Sequence, residues 1–83
     1  MEIKVLGTGC AKCKRLYAEA EQAVAHAAMP VTLTKVEQLD EIMSFGVMMT
    51  PALVLDGEVK CSGRIPKAAE IVTWIMNAAA KGG

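Results

Sequence analysis

Two cysteines three positions apart, Cys10 and Cys13, are the residues best equipped for chemistry in this chain. A C-x-x-C pair can cycle between dithiol and disulfide, or it can clip a soft metal ion. The pair stands in Gly7-Thr8-Gly9-Cys10-Ala11-Lys12-Cys13, after a short apolar run and at the head of a long amphipathic one. Downstream, Cys13, Leu16, Tyr17, Ala20, Ala23, Val24 and Ala27 recur at the spacing of a helix with one buried stripe. Cys13 belongs to that stripe and Cys10 does not. Cys10 falls at the helix start, where backbone N–H groups lack intrahelical partners and the dipole favours negative charge. A thiolate is such a charge. The position is therefore expected to lower the Cys10 pKa toward the range of roughly 3.5–7.5 found for activated cysteines. Lys12, Lys14 and Arg15 add positive charge in the first turns. The spacing assigns unequal roles: Cys10 is the exposed nucleophile and Cys13 the sheltered resolving thiol.

The elements that position this pair follow from periodicity and punctuation. Met1 to Leu6 reads as a strand, and Gly7 and Gly9 as a flexible loop open to close backbone approach. The first helix is predicted from about Cys10 to Ala28, with Pro30 blocking its extension. Val31 to Val36 alternates and is β-branched, completing a βαβ unit with parallel strands. Gln38 to Phe45 is predicted as a short helix with Leu39, Ile42 and Met43 on one apolar face, stopped by Gly46. Ala52 to Leu55 is a third strand, Asp56-Gly57 a two-residue hairpin turn, and Glu58 to Ser62 a fourth strand. That loop length pairs Leu55 with Glu58, Val54 with Val59, Leu53 with Lys60 and Ala52 with Cys61. Gly63 breaks the strand and Pro66 suits the first turn of a last helix. Its stripe is Ala68, Ile71, Val72, Ile75, Ala78 and Ala79, with Trp74 beside it. The order is βαβαββα.

Composition narrows the function classes. The chain has 83 residues, enough for one domain over 1–83, and 53% hydrophobic content supports a core despite the short length. Nine basic residues balance nine acidic ones, which argues against a nucleic-acid binder. Met1 leads into a charged strand with no apolar signal region, and no stretch approaches the roughly 20 apolar residues of a membrane span. A cytoplasmic protein is expected. Three cysteines do not suit a secreted disulfide framework, and in a reducing compartment a C-x-x-C is catalytic or metal-binding rather than structural. Lys81-Gly82-Gly83 reads as a frayed tail.

A C-x-x-C after the first strand of a βαβ unit, then Thr50-Pro51 opening a strand, the Asp56-Gly57 hairpin, and Ser62-Gly63-Arg64-Ile65-Pro66 before a helix form a larger pattern. From Ile3 to the last helix this pattern resembles the small thioredoxin/glutaredoxin-like proteins called redox-active disulfide proteins. The resemblance implies a minimal thioredoxin-like α/β fold, a four-stranded mixed sheet flanked by three helices. It implies a thiol–disulfide oxidoreductase that transfers electrons through Cys10 and Cys13 with no further cofactor. Pro51 would be cis and pack beside the pair. The Thr50 backbone would pair with an extended substrate segment. Gly9, Lys12 and Gly63 would border the same groove, where glutaredoxin relatives hold glutathione. Implied partners are disulfide-containing protein substrates and a thioredoxin-reductase-like or other recycling reductase, and the protein would act as a monomer without nucleic acid or membrane. Thioredoxin itself has Trp before the first cysteine and Gly-Pro between the two, where this chain has Gly9, Ala11 and Lys12. Two other readings use the same thiols. One is a soft-metal carrier for copper or zinc, since the loop also resembles that of small metal chaperones, whose order is βαββαβ. The other is a glutathione-linked, glutaredoxin-like carrier.

Other residues carry weaker signals. In the hairpin register Cys61 falls opposite Ala52, near Pro51, as a third thiol or a small core hydrophobe. Lys60 and Arg64 would return toward Lys12 as a basic rim that steers acidic partners. His26 is about 20 Å along the helix from Cys13, too far to join the site. Met43, Met48 and Met49 read as core filler, with Met48 or Met49 also placed to give an apolar floor to the groove.

Overall fold

In a computed structural model, which describes residues 1–81, the chain runs β1 (Glu2–Leu6), α1 (Ala11–Ala27), β2 (Thr32–Val36), α2 (Leu39–Ser44), β3 (Ala52–Leu55), β4 (Glu58–Ser62) and α3 (Ala68–Lys81). The expected tail is helical at Lys81, and Gly82 and Gly83 lie outside the described residues. The four strands form one mixed sheet in the order β2-β1-β3-β4. β1 pairs in parallel with β2 and antiparallel with β3. The helix after β2, ahead of the hairpin, gives the order expected of a minimal thioredoxin-like fold and not that of the metal chaperones.

Strand alternation decides which helix covers which face. Ile3, Val5, Leu53 and Leu55 point to one side, where they pack with Leu16, Ala20 and Ala23 of α1 and Ile71 and Ile75 of α3. Leu6, Ala52 and Val54 point to the other, against Val36 and Ile42. Only Ile42 of the expected α2 face is buried, whereas Leu39 and Met43 are each 64% exposed. The helix is six residues long and turns one side to the sheet, so the neighbours of Ile42 remain in solvent. Likewise α3 starts at Ala68, with Pro66 fully buried ahead of it.

Asp56 and Gly57 take φ of 48° and 83°, as a tight hairpin turn requires. The Glu2 amide donates to Asp56 Oδ1 at 2.8 Å and fastens this turn to β1. The first two expected pairs of the hairpin form, Leu55 with Glu58 and Val54 with Val59. A bulge then intervenes, so Leu53 faces Cys61 and Ala52 faces Ser62. Lys60 is the extra residue of the bulge.

Ala28 closes α1 in the left-handed region, at φ 54° and ψ 36°. A side chain there costs about 1–2 kcal/mol, while glycine gives back about 0.4–1 kcal/mol through its freer unfolded chain. Ala28→Gly is therefore expected to stabilise the fold by roughly 0.5 kcal/mol, measured as a higher denaturant midpoint at unchanged m-value.

Candidate active site

Cys10 is the N-cap of α1, and its sulfur accepts a hydrogen bond from the Cys13 amide at 3.4 Å. A thiol thus takes the capping place more often held by Ser, Thr, Asp or Asn. The Cys10 carbonyl accepts from the Lys14 amide at 3.0 Å, which starts the helical ladder. Cys10 is exposed and Cys13 is 5% exposed, with their sulfurs 2.6 Å apart.

The two thiols differ electrostatically as they differ in exposure. The Cys10 pKa is lowered, first by the hydrogen bond from the Cys13 thiol, then by the Cys13 amide, with smaller help from the Lys12 and Cys10 backbone. These leading causes are local donors, not the ammonium groups of Lys12 and Lys14 that the sequence brought forward. The Cys13 pKa is raised, first by burial and then by its hydrogen bond to Cys10. Of the two thiols the arrangement therefore favours ionisation of Cys10 and retention of the proton on Cys13.

Beneath Cys13 the loop after β1 is shaped by what lies against it. Gly7 is buried, and a Cβ there would fall on Cys13 Sγ. Its φ is not positive, so this glycine is present for close approach and not for a special turn. Gly9 does take a positive φ, 90°, and a Cβ on it would stand 3.2 Å from Glu37 Oε2. The Gly7 amide donates to the Val36 carbonyl at 3.0 Å, carrying the β1–β2 pairing one residue beyond Leu6 and Val36. A cavity of about 60 Å³ opens here, lined by Gly7, Gly9, Cys13, Lys14, Lys35 and Glu37 among others.

On the other side of Gly7, the antiparallel register pairs Leu6 with Ala52, so Pro51 continues β3 at the same end of the sheet as the thiols. The Thr50–Pro51 bond is cis, as the resemblance implied. Pro51 is fully buried and its carbonyl accepts from the Gly63 amide at 2.9 Å. Thr50 is exposed, and Gly63 is exposed with φ 79°. The Met49 side chain lies across Gly63, 3.2 Å from where a Cβ would be. Lys12 is exposed on the first turn of α1. Met48 and Met49 are 96% and 62% exposed, so they are surface beside the groove and not core.

The structure does not assemble the basic rim from Lys60 and Arg64. Lys60 Nζ turns to Glu58 at 2.9 Å, because the bulge frees it from the ladder next to that carboxylate. Arg64 makes two hydrogen bonds to Glu70, at 3.1 and 2.6 Å, and its guanidinium lies 6.0 Å from the half-buried Trp74 ring. Cys61 faces Leu53 rather than Ala52, packs in the α1–α3 core at 8% exposure, and has its pKa raised by that burial. His26 is exposed in the last turn of α1, away from the site. Sequence reasoning missed Glu37, whereas Met49, read there as an apolar floor to the groove, lies across Gly63. Glu37 was recoverable, since parallel pairing of the first two strands sets the residue after Val36 beside Gly7.

The thioredoxin domain family matches residues 1–76 of the chain. A thioredoxin of Methanothermobacter thermautotrophicus is 37% identical over 71 residues, 86% of this chain and 92% of that relative. A thioredoxin of Methanocaldococcus jannaschii is 33% identical over 69 residues, 83% of this chain and 79% of the relative. No described helix is long and apolar enough to cross a membrane. With two unequal thiols at a helix start, a cis-proline strand at the same sheet end and these matches along nearly the whole length, the chain belongs to the thioredoxin family of thiol–disulfide oxidoreductases.

Proposed function

We propose that this protein reduces disulfides in extended polypeptide segments, with Cys10 as nucleophile and Cys13 as resolving thiol. One observation carries the reading: the exposed sulfur is also the one whose pKa is lowered, and its buried partner stands 2.6 Å behind it. Cys10 thiolate attacks one substrate sulfur, forming a mixed disulfide and expelling the other sulfur as a thiolate. Cys13 loses its proton and attacks Cys10 Sγ, which breaks the bond to the substrate and releases the second thiolate. The substrate gains two electrons and the pair is oxidised to a disulfide. A thioredoxin-reductase-like or other recycling reductase returns those electrons, in the cytoplasm, where thiols are kept reduced.

The groove is the docking edge in this reading. Thr50 and Pro51 would offer their backbone at the same end of the sheet as the thiols, with Gly9 and Lys12 at one margin and Gly63 at the other. Met49 across Gly63 makes that margin apolar, which suits a polypeptide side chain better than the charged ends of glutathione.

Cys13→Ser is expected to accumulate a mixed disulfide with insulin, located on Cys10 by mass mapping. Cys10→Ser is expected to lose insulin reduction altogether. Retention of normal turnover by Cys10→Ser would overturn the assignment.

A further inference from the structure

We infer that the Met49 thioether is an oxidation site whose sulfoxide weakens polypeptide docking and leaves the thiol pair unchanged. The inference rests on the docking reading above and places that groove under the control of peroxides. Met49 lies in the same segment as Thr50 and Pro51, just ahead of them. Its Cβ, Sδ and Cε stand 3.3, 3.2 and 3.2 Å from where a Cβ on Gly63 would be. Gly63 takes φ 79°, and its amide donates to the Pro51 carbonyl at 2.9 Å. The thioether therefore lies along the backbone link that joins the ends of β3 and β4, in the place a side chain at 63 would otherwise fill. Met49 is nevertheless 62% exposed. One flank of this side chain is seated on backbone and the other is open at the groove margin. Met48 is 96% exposed, and Met43 and Met76 are 64% and 43% exposed, so peroxide reaches them too. Among these, Met49 is the one seated on Gly63.

A thioether reacts with hydrogen peroxide without first losing a proton. A sulfur lone pair attacks one peroxide oxygen and the O–O bond breaks. The transferred oxygen gives its proton to the departing hydroxide, which leaves as water. The sulfur is oxidised by two electrons to the sulfoxide and the peroxide is reduced. A methionine sulfoxide reductase reverses the change. The sulfoxide turns an apolar side chain into a polar one. Water satisfies its oxygen while the groove is empty. An apolar substrate side chain strips that water and leaves the acceptor unpaired, which opposes docking. The thiols keep their chemistry, because the groups that lower the Cys10 pKa are the Cys13 thiol and amide and the Lys12 and Cys10 backbone, all at the start of α1.

The wild type, Met48→Leu, Met49→Leu and Met49→Gln are treated with hydrogen peroxide as their Cys10–Cys13 disulfides, which shields both sulfurs. Catalase removes the oxidant and dithiothreitol reopens the pair. Sulfoxide is mapped by mass, and insulin reduction by each protein is compared with its own untreated sample. In the wild type and Met48→Leu, kcat/KM for insulin is expected to fall roughly fivefold or more, the scale of an unpaired buried acceptor. In Met49→Leu the treated and untreated samples should match. Met49→Gln, polar from the start, should begin below the wild type and fall no further. Iodoacetamide should alkylate Cys10 at the same rate before and after treatment. An equal fall in Met49→Leu and the wild type overturns the inference, as does full insulin reduction by wild type that carries the Met49 sulfoxide. A Met49 left unoxidised where Met48 is converted also overturns it. Slower Cys10 alkylation in the treated wild type places the effect on the thiols and overturns it as well. All of these outcomes leave the two-thiol reading intact, whereas insulin left unreduced by the untreated wild type overturns that reading itself.

Discussion

Gly7→Ala is expected to destabilise the reduced protein by roughly 1–3 kcal/mol, the usual cost of forcing a methyl into a packed site. It should also disable the thiol pair. The backbone at Gly7 is not in the left-handed region, so alanine meets no conformational penalty there. The penalty is steric. The new Cβ would clash with Cys13 Sγ and lie 3.0 Å from Cys13 Cβ, so the sulfur must shift. The helical backbone of Cys13 restricts the rotamers it can leave to. A displaced Cys13 no longer donates to Cys10, and the largest cause of the lowered Cys10 pKa disappears. Gly46→Ala is the matching control. A Cβ at Gly46 meets nothing within 4 Å, but φ is 78°, so the cost is backbone strain of about 1–2 kcal/mol with the thiols untouched. Denaturant unfolding should therefore show both variants weakened, whereas insulin reduction should slow only in Gly7→Ala. A Gly7→Ala protein that matches wild type in both measurements would refute the packing account.

The contrast shows which features the sequence displays and which it conceals. The C-x-x-C at a helix start is legible because one cysteine fits the apolar stripe and the other does not. The Asp56-Gly57 turn is legible because positive φ at both positions selects such residues. Alternation fails at the bulge. Val59 and Cys61 read as same-face residues, yet the extra Lys60 sends Cys61 into the α1–α3 core and leaves Val59 37% exposed on the other face. Helical spacing likewise fails at α2, where it marks Leu39 and Met43 as apolar but cannot tell that one turn of sheet contact reaches only Ile42. Gly7 announces freedom in the sequence, and its use here is the opposite, a fixed gap filled by a sulfur. Glu37 has no motif around it. Its place beside the cavity comes from strand register, a long-range property that local patterns do not encode.

Cys13→Ala is expected to stop insulin reduction at the Cys10 mixed disulfide and to move the pH profile of Cys10 alkylation upward. The Cys13 thiol is the largest cause lowering the Cys10 pKa, so its loss favours the protonated form. The shift should be partial, because the Cys13 and Lys12 amides still face the sulfur. Stability of the reduced protein follows the same groups with opposite signs. Cys10 has a folded pKa below its unfolded value, so its contribution is full above the unfolded thiol value and is lost as pH falls through the folded one. Cys13 and Cys61 have folded values above the unfolded one, so their contributions are full below the unfolded value and are lost as pH rises through the folded ones. The thiols together therefore give the reduced wild type a stability maximum near the ordinary thiol pKa. Cys13→Ala should flatten the acid side, because Cys10 is less shifted, and soften the alkaline side, where Cys61 still acts. Iodoacetamide rates against pH test the first expectation and denaturant midpoints against pH the second. An alkylation profile unmoved in Cys13→Ala would mean that the helix-start amides alone set the charge on Cys10, and that the second sulfur takes part only when it attacks.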